Sequence, residues 1–185
     1  RTGSLAGTTR TSQPGSLAPP RWRIEKTSGG VPDSRPSQNA QLSDGAAGLV
    51  LMDADLAAKR KIPILGLFRG MQLAAVAPEE MSTAIAPAIR KVMKHHDVPA
   101  SSVDLWELHE AYAVTTLYNQ RELETPWEIT NVNGGAVPLG HPYGMSGVRY
   151  VGSTILELGR RNKKRAIIGV CTAGGMGTAA LLERA

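Results

Sequence analysis

The chain has 185 residues, 42% hydrophobic and only 4% aromatic, with a net charge of +5 at neutral pH and a pI near 9.6. That length and hydrophobic content suit one sizeable domain with room for a tail, and no apolar run approaches the length of a membrane span. The positive excess lies in the arginines between Arg1 and Arg35 and in the run Arg160-Arg161-Asn162-Lys163-Lys164-Arg165, which closes a predicted helix where cations complement free carbonyls; no aromatic-interleaved basic stripe points to nucleic acid.

Cys171 is the only cysteine, so no disulfide forms within the chain and a reducing compartment is expected, cytoplasmic or mitochondrial. The chain opens on Arg1 rather than Met and reads as a piece or a processed product. Residues 1–38 are rich in Ser, Thr, Gly, Pro and Arg without a hydrophobic period, and Glu25 is the first acid. They resemble a transit peptide in composition, but Pro14, Pro19 and Pro20 interrupt any amphipathic helix, so a disordered or unrelated N-terminal segment is expected.

Order is expected from residue 39 to residue 185. Gly45–Asp53, GAAGLVLMD, predicts a buried strand, and Asp53 predicts the cap of a short helix through Arg60. Pro63–Val76 fits a long strand. Pro87 suits the first residue of a helix whose Ile89, Val92 and Met93 face one way, ending at His95 and His96. Adjacent histidines on a helix point apart, which favours solvated helix-end cations over metal ligands. Val103–Leu108 predicts a strand leading into His109-Glu110-Ala111-Tyr112-Ala113 and a helix to about Glu124. Behind the segment Asn131–Gly147, the spacing of Val148, Val151, Ile155 and Leu156 predicts a one-sided helix. Two strands close the chain, Ala166–Cys171 and Met176–Leu182, joined by Thr172-Ala173-Gly174-Gly175. The class is α/β, a mixed sheet covered by helices in the order βαβαβαββ.

The chemistry converges on strand ends and glycine loops. Asn131–Gly147 sets Gly134, Gly135, Gly140, Gly144 and Gly147 around His141, whose neighbour Pro142 stiffens the chain. His109 follows one strand and Cys171 ends another, and ligand sites of α/β sheets collect at the carboxyl ends of strands. A thiol and two imidazoles brought together can do acid–base or nucleophilic chemistry. Each also has an ordinary structural reading: the glycine loop as a surface turn, Cys171 as inert packing, His109 as a helix cap, the Cys-Thr-Ala-Gly-Gly turn as a hairpin connection.

Four segments in order carry a resemblance to the C-terminal domain of the thiolase family, together spanning Gln41 to Glu183. They are Gln41–Ala47, Trp106–Ala113 with its His-Glu-Ala-Tyr block, Asn131–Gly147 with its Asn-x-Asn-Gly-Gly and Gly-His-Pro-x-Gly-x-Ser-Gly pattern, and the closing loop Cys171–Gly177. The resemblance implies acyl transfer: thiolysis of a 3-ketoacyl-CoA, or the reverse Claisen condensation, through an acyl-cysteine. It calls for CoA and acyl-CoA as substrates and for no bound cofactor or metal. It implies that His141 is the base activating the nucleophilic cysteine, that Cys171 moves a proton at the substrate α-carbon, and that His109 stands where many members carry the Asn that orients an oxyanion-hole water. It implies an oxyanion donor in the Ala173 N–H, within a substrate loop that includes Gly174, with Asn133, Gly134 and Gly135 in the other.

In the family the nucleophilic cysteine belongs to an N-terminal domain, and Cys171 has the other role. Before Gln41 the chain reads Ser37-Gln38-Asn39-Ala40 where the family has a Gly-Asn-Ser-type turn, and upstream the resemblance ends. A half-thiolase is expected, working with an N-terminal thiolase domain or as a homo-oligomer. The alternatives are a non-catalytic CoA-binding or interaction module, a degenerate remnant of the family, and an enzyme in which Cys171 is itself the nucleophile. Loss of the other domain predicts an exposed apolar face and self-association. The terminus Glu183-Arg184-Ala185 carries no peroxisomal address.

Overall fold

A computed structural model of the chain describes residues 39–185, and the reading of residues 1–38 lies outside the described residues. Asp53 caps a short helix, α1 (Ala54–Lys59), its carboxylate accepting from the Leu56 N–H at 2.9 Å. The apolar stretch after Pro63 forms β1 (Gly66–Ala75). Helix α2 (Ile85–His96) starts two residues before Pro87, which sits in the first turn where an N–H has no partner to lose. The helix buries Ile85, Ile89 and Val92 and stops at Asp97, which takes the left-handed conformation. Strand β2 (Leu105–Leu108) and α3 (Ala113–Leu123) follow, then the short α4 (Ala136–Leu139) and the long α5 (Tyr143–Arg160). The hairpin β3 (Arg165–Thr172) and β4 (Met176–Arg184) closes the fold.

The strands form one mixed sheet in the order β1-β4-β3-β2, antiparallel except for the β2–β3 pair. Alternation along β3 shows which helix covers which face. Ile167 packs in the main core with Ile85, Ile89, Val92, Trp106, Leu108 and Leu181, the α2 side. Ile168 packs with Tyr150 and Leu182, the α5 side. Gly169 lets α2 come close, since a Cβ there would lie 2.5 Å from Ile85 Cγ2. The parallel register pairs Leu108 with Gly169, and the His109 N–H donates to Gly169 O at 2.8 Å. Strands β2 and β3 therefore finish at one edge of the sheet, the geometry that places strand-end residues together.

Four expectations are corrected. Gly45–Asp53 forms no strand: Leu49, Val50, Leu51 and Met52 are exposed, because no sheet edge within the described residues pairs with them and an apolar run alone does not specify a strand. The element order is thus αβαβαααββ, without the leading strand. Gly144 and Gly147 lie inside α5 rather than in a loop. Finally, Leu156 is exposed, and the side of α5 that packs deepest is Met145, Ser146, Arg149, Tyr150, Thr154, Glu157 and Leu158, so the helix buries a largely polar stripe.

The basic run after α5 is paired as a structural feature. Arg161 Nε lies 2.5 Å from Glu157 Oε1, Lys163 lies 3.6 Å from Asp104, and Arg165 lies 2.7 Å from Glu183. At the other helix end, His95 is exposed whereas His96 turns in, its buried Nε2 facing Gly70 without a partner.

Candidate active site

His109 is aimed by a side chain that imitates a strand. Among the described residues no strand lies beyond β2, and Asn131 supplies the missing edge contacts. Its Oδ1 accepts from the Leu108 N–H at 2.7 Å, its Nδ2 donates to Leu108 O at 2.9 Å, and its own N–H donates to Trp106 O at 2.8 Å. Asn131 Nδ2 also reaches Glu110 Oε1 at 3.1 Å, while Glu110 Oε2 accepts from the Val137 N–H at 3.0 Å. The residue after His109 thereby holds the start of α4.

His141 is held from three sides. Gly140 takes φ +86°, and a Cβ there would lie 2.1 Å from Ser43 Oγ. Its carbonyl accepts from Arg149 Nη1 at 3.0 Å, and the His141 N–H donates to Gln41 O at 2.8 Å. The imidazole Nδ1 lies 2.7 Å from Ser146 Oγ, whose hydroxyl donates to Pro142 O at 3.1 Å. His141 borders an open cavity of about 320 Å³ with Leu42, Ser43, Asp44 and Tyr143, at the small end of the range for ligand sites.

The structure brings the two site histidines into contact. Their ring centroids lie 4.2 Å apart at 53°. His109 is 2% exposed, and its Nδ1 lies 2.5 Å from Tyr150 Oη. Arg149 is buried beside them, its guanidinium 5.0 Å from the centroid of the Tyr150 ring and its Nη2 without a partner. Burial, then the charges at His141 and Arg149, bring the His109 imidazole down to about 3. Burial and Arg149 also lower His141 below the ordinary histidine value. Both rings are therefore neutral at pH 7. Burial lifts the Glu107 carboxyl to about 8 against the pull of Arg149, and lifts the Tyr150 phenol above its ordinary range.

Cys171 is placed differently. Its side chain is buried in the main core with Ile85 and Ile89, and burial pushes the thiol up to about 11. Neither imidazole contributes to that shift. Ala173 and Gly174 are exposed at the tip of the β3–β4 hairpin, anchored where the Val76 N–H donates to Gly175 O at 2.8 Å. Asn133 bonds Glu157 and Arg160 near the C-terminal end of α5, both at 3.2 Å, away from the start of α5 where His141 lies. Gly134, at φ +82°, and Gly135 carry the chain back to α4.

Sequence reasoning missed Tyr150, Arg149, Ser146 and Glu107. A signal existed: Ser146, Arg149 and Tyr150 recur at the helical three-and-four spacing behind His141, which puts polar groups on one buried face.

The described domain matches a family described as "Thiolase, C-terminal domain" over residues 62–184. The chain is 41% identical over 147 residues to the peroxisomal 3-ketoacyl-CoA thiolase 5 of Arabidopsis thaliana, covering 78% of this chain and 32% of that protein. It is 43% identical over 144 residues to acetyl-CoA acetyltransferase 2 of the same plant, covering 78% and 36%. The crystal structure of the Bacillus anthracis acetyl-CoA acetyltransferase superposes with a TM-score of 0.79 at 38% identity, over 81% of this chain and 38% of that one. Human mitochondrial 3-ketoacyl-CoA thiolase in complex with CoA superposes with a TM-score of 0.79 at 32% identity, over the same shares. The chain spans about a third of the length of the curated relatives it matches.

Proposed function

The chain belongs to the thiolase family, as its C-terminal domain, and on that premise we propose that it supplies the acid–base half of a thiolase active site. The observation that carries the reading is the ring contact of His109 and His141 beside an open cavity. In the thiolytic direction a cysteine thiolate adds to C3 of a 3-ketoacyl-CoA. The tetrahedral adduct collapses, the C2–C3 bond breaks, C2 takes a proton and acetyl-CoA leaves. The thiol of CoA then attacks the acyl-cysteine, releasing the shortened acyl-CoA and the free cysteine. The condensation is the same path reversed.

His141 is the base for the attacking thiols. Ser146 gives its hydrogen to Pro142 O and accepts from Nδ1–H, which leaves the Nε2 lone pair of a neutral ring free to take a proton. Cys171 delivers the proton to C2. Its raised pKa keeps it a thiol at neutral pH, which suits a proton donor and counts against Cys171 as the nucleophile. As Cys171 is the only cysteine, the acyl-carrying cysteine comes from outside these 185 residues, in an N-terminal thiolase domain of the same or another polypeptide. His109 and the Ala173 and Gly174 backbone serve the developing oxyanions, and Gly134 and Gly135 shape the substrate loop, while Asn133 anchors that loop to Glu157 and Arg160 of α5. CoA and acyl-CoA are substrates, no bound cofactor is required, and homo-oligomerisation is expected. No described helix is long and apolar enough to cross a membrane. Relatives carry peroxisomal and mitochondrial names, and a reducing compartment, cytoplasmic or mitochondrial, is proposed for this chain.

The test is thiolysis of acetoacetyl-CoA by the chain co-expressed with an N-terminal thiolase domain, followed by intact mass. Turnover with an acetyl adduct on the other domain's cysteine, abolished by His141→Asn, is expected. An adduct on Cys171 would make this a single-cysteine acyltransferase. Absence of both turnover and adduct would leave a CoA-binding module.

A further inference from the structure

Tyr150 Oη and His109 Nδ1 lie 2.5 Å apart, and either atom could carry the shared hydrogen. The surroundings decide between them. Tyr150 is 1% exposed, and Nδ1 is the only acceptor its hydroxyl meets among the described residues, Arg149 beside it offering donors alone. Were Nδ1 to donate, the buried phenolic O–H would be left without an acceptor, a cost of about 1–3 kcal/mol. The neighbour stacked on Tyr150 is Arg149, whose guanidinium has donors only and offers no escape. The O–H therefore points to Nδ1, and a neutral imidazole that accepts at Nδ1 carries its hydrogen on Nε2. His109 Nε2 has no hydrogen-bond partner among the described residues, so that N–H is free to act.

We propose that Tyr150 is a positioning residue that fixes His109 as the Nε2–H tautomer, making His109 a hydrogen-bond donor and leaving proton abstraction to His141. The two touching rings then have opposite polarity. Ser146 takes the Nδ1 hydrogen of His141 and leaves a lone pair at Nε2, whereas Tyr150 fills the Nδ1 lone pair of His109 and leaves an N–H. A second base would waste the site, while a fixed donor stabilises negative charge on a carbonyl oxygen without giving up its proton. The groups facing His109 agree with a neutral ring: His141 from the loop, Arg149 and Tyr150 from α5, with Glu107 beside Arg149 on β2. Protonating His109 would set a second cation against buried Arg149 and break the Tyr150 bond. Its use toward an acyl oxyanion rests on the thiolase reading; its tautomer does not.

The test is long-range ¹H–¹⁵N correlation of the imidazoles in the labelled 185-residue chain without substrate. The chain has four histidines, and the His109 signals are identified by their loss in His109→Gln. The expected pattern is one N–H nitrogen, Nε2, and one unprotonated nitrogen, Nδ1, unchanged as pH falls through 6.5. Tyr150→Phe keeps the ring but removes the hydroxyl. It should leave the far-UV spectrum intact while His109 becomes tautomer-averaged or moves its hydrogen to Nδ1. A wild-type spectrum with the hydrogen on Nδ1, or a folded Tyr150→Phe chain with an unchanged His109 pattern, overturns the proposal. If the variant does not fold, the wild-type pattern decides alone. Loss of thiolysis in the co-expressed pair, with the tautomer intact, would overturn the acyl-transfer reading and spare the tautomer.

Discussion

Glu110 and Gly135 are in direct contact, carboxylate against α-carbon: a Cβ at Gly135 would lie 2.1 Å from Glu110 Cδ, and the same carboxylate accepts the Val137 N–H. Since Glu110 follows His109, any group that pushes it away also disturbs the site. Gly135→Ala should therefore destabilise the fold by about 1–3 kcal/mol, the usual cost of overpacking. Gly147→Ala should do the reverse. It lies inside α5 with nothing within 4 Å of an added Cβ, and glycine in a helix costs about 0.5–1 kcal/mol against alanine. Urea midpoints of the two variants check the contrast in sign.

His109 and Glu107 pull stability in opposite directions with pH. The native His109 value, about 3, lies below the ordinary 6.5, so the unfolded chain binds that proton first and stability is lost as pH falls from 6.5 toward 3. The native Glu107 value, about 8, lies above the ordinary 4.5, so the native chain keeps a proton that the unfolded chain releases, and stability is lost as pH rises from 4.5 through 8. Each span corresponds to on the order of 5 kcal/mol. The melting temperature should peak between pH 4.5 and 6.5 and decline on both sides. Glu107→Gln should flatten the alkaline decline. His109→Gln should reduce the acid one without removing it, because Asp104, Glu157 and Glu183 are all held below their ordinary values and also lose stability on protonation. A decline between pH 6.5 and 8 that persists in Glu107→Gln would refute the assignment; above that range the raised Cys171 thiol and Tyr150 phenol add a loss of their own.

Motifs with local geometry were readable from the sequence. Asp53 caps its helix because an Asx side chain reaches the N–H three residues on, and the hairpin at Thr172–Gly175 forms because Gly174 and Gly175 accept positive φ. The histidines stand out in the sequence because strand ends and glycine loops mark themselves, and the fold sets their two rings in contact. What failed was tertiary. Whether Leu49–Met52 becomes a strand depends on a pairing edge elsewhere in the fold, and whether α5 buries Leu156 or Arg149 depends on what lies behind it. Arg149 and Tyr150 look like surface residues until Gly140, His109 and Glu107 are seen to surround them. Asn133 has the opposite history: its motif points to the substrate loop, while its amide is taken by Glu157 and Arg160.

Asn131 offers a direct probe of how the fold aims the site. It completes the outer edge of β2 through both polar atoms of its amide, and no neighbouring strand among the described residues can replace them. Asn131→Ala strips Leu108 of a donor and an acceptor in a partly buried setting and frees one side of Glu110. A loss of about 2–3 kcal/mol is expected from the unpaired groups. The same change should make the Leu108 and His109 amides exchange faster with solvent than those of the α2-side core. Uniform acceleration across the whole domain would instead mean that Asn131 acts on global stability alone.

Among the described residues, one face of the sheet is left open beyond α5. By register, Met71, Leu73 and Ala75 of β1 oppose Ala180, Thr178 and Met176 of β4, the alternation set that also contains Leu182, the α5-side core residue. Leu182 is fully covered, whereas Met71, Leu73 and Met176 are 50%, 62% and 48% exposed, with Phe68 beside them at 45%. An apolar patch on a strand at the sheet edge is a template for association, both through its side chains and through its unpaired backbone. The purified chain should therefore sediment as dimers or larger species in a concentration-dependent way. Replacing Met71 and Leu73 together by Lys should return it to monomer with little change in stability, because both positions already face solvent and Lys is well tolerated at sheet edges. A wild-type chain that sediments only as a monomer at high concentration would show that this face needs no cover.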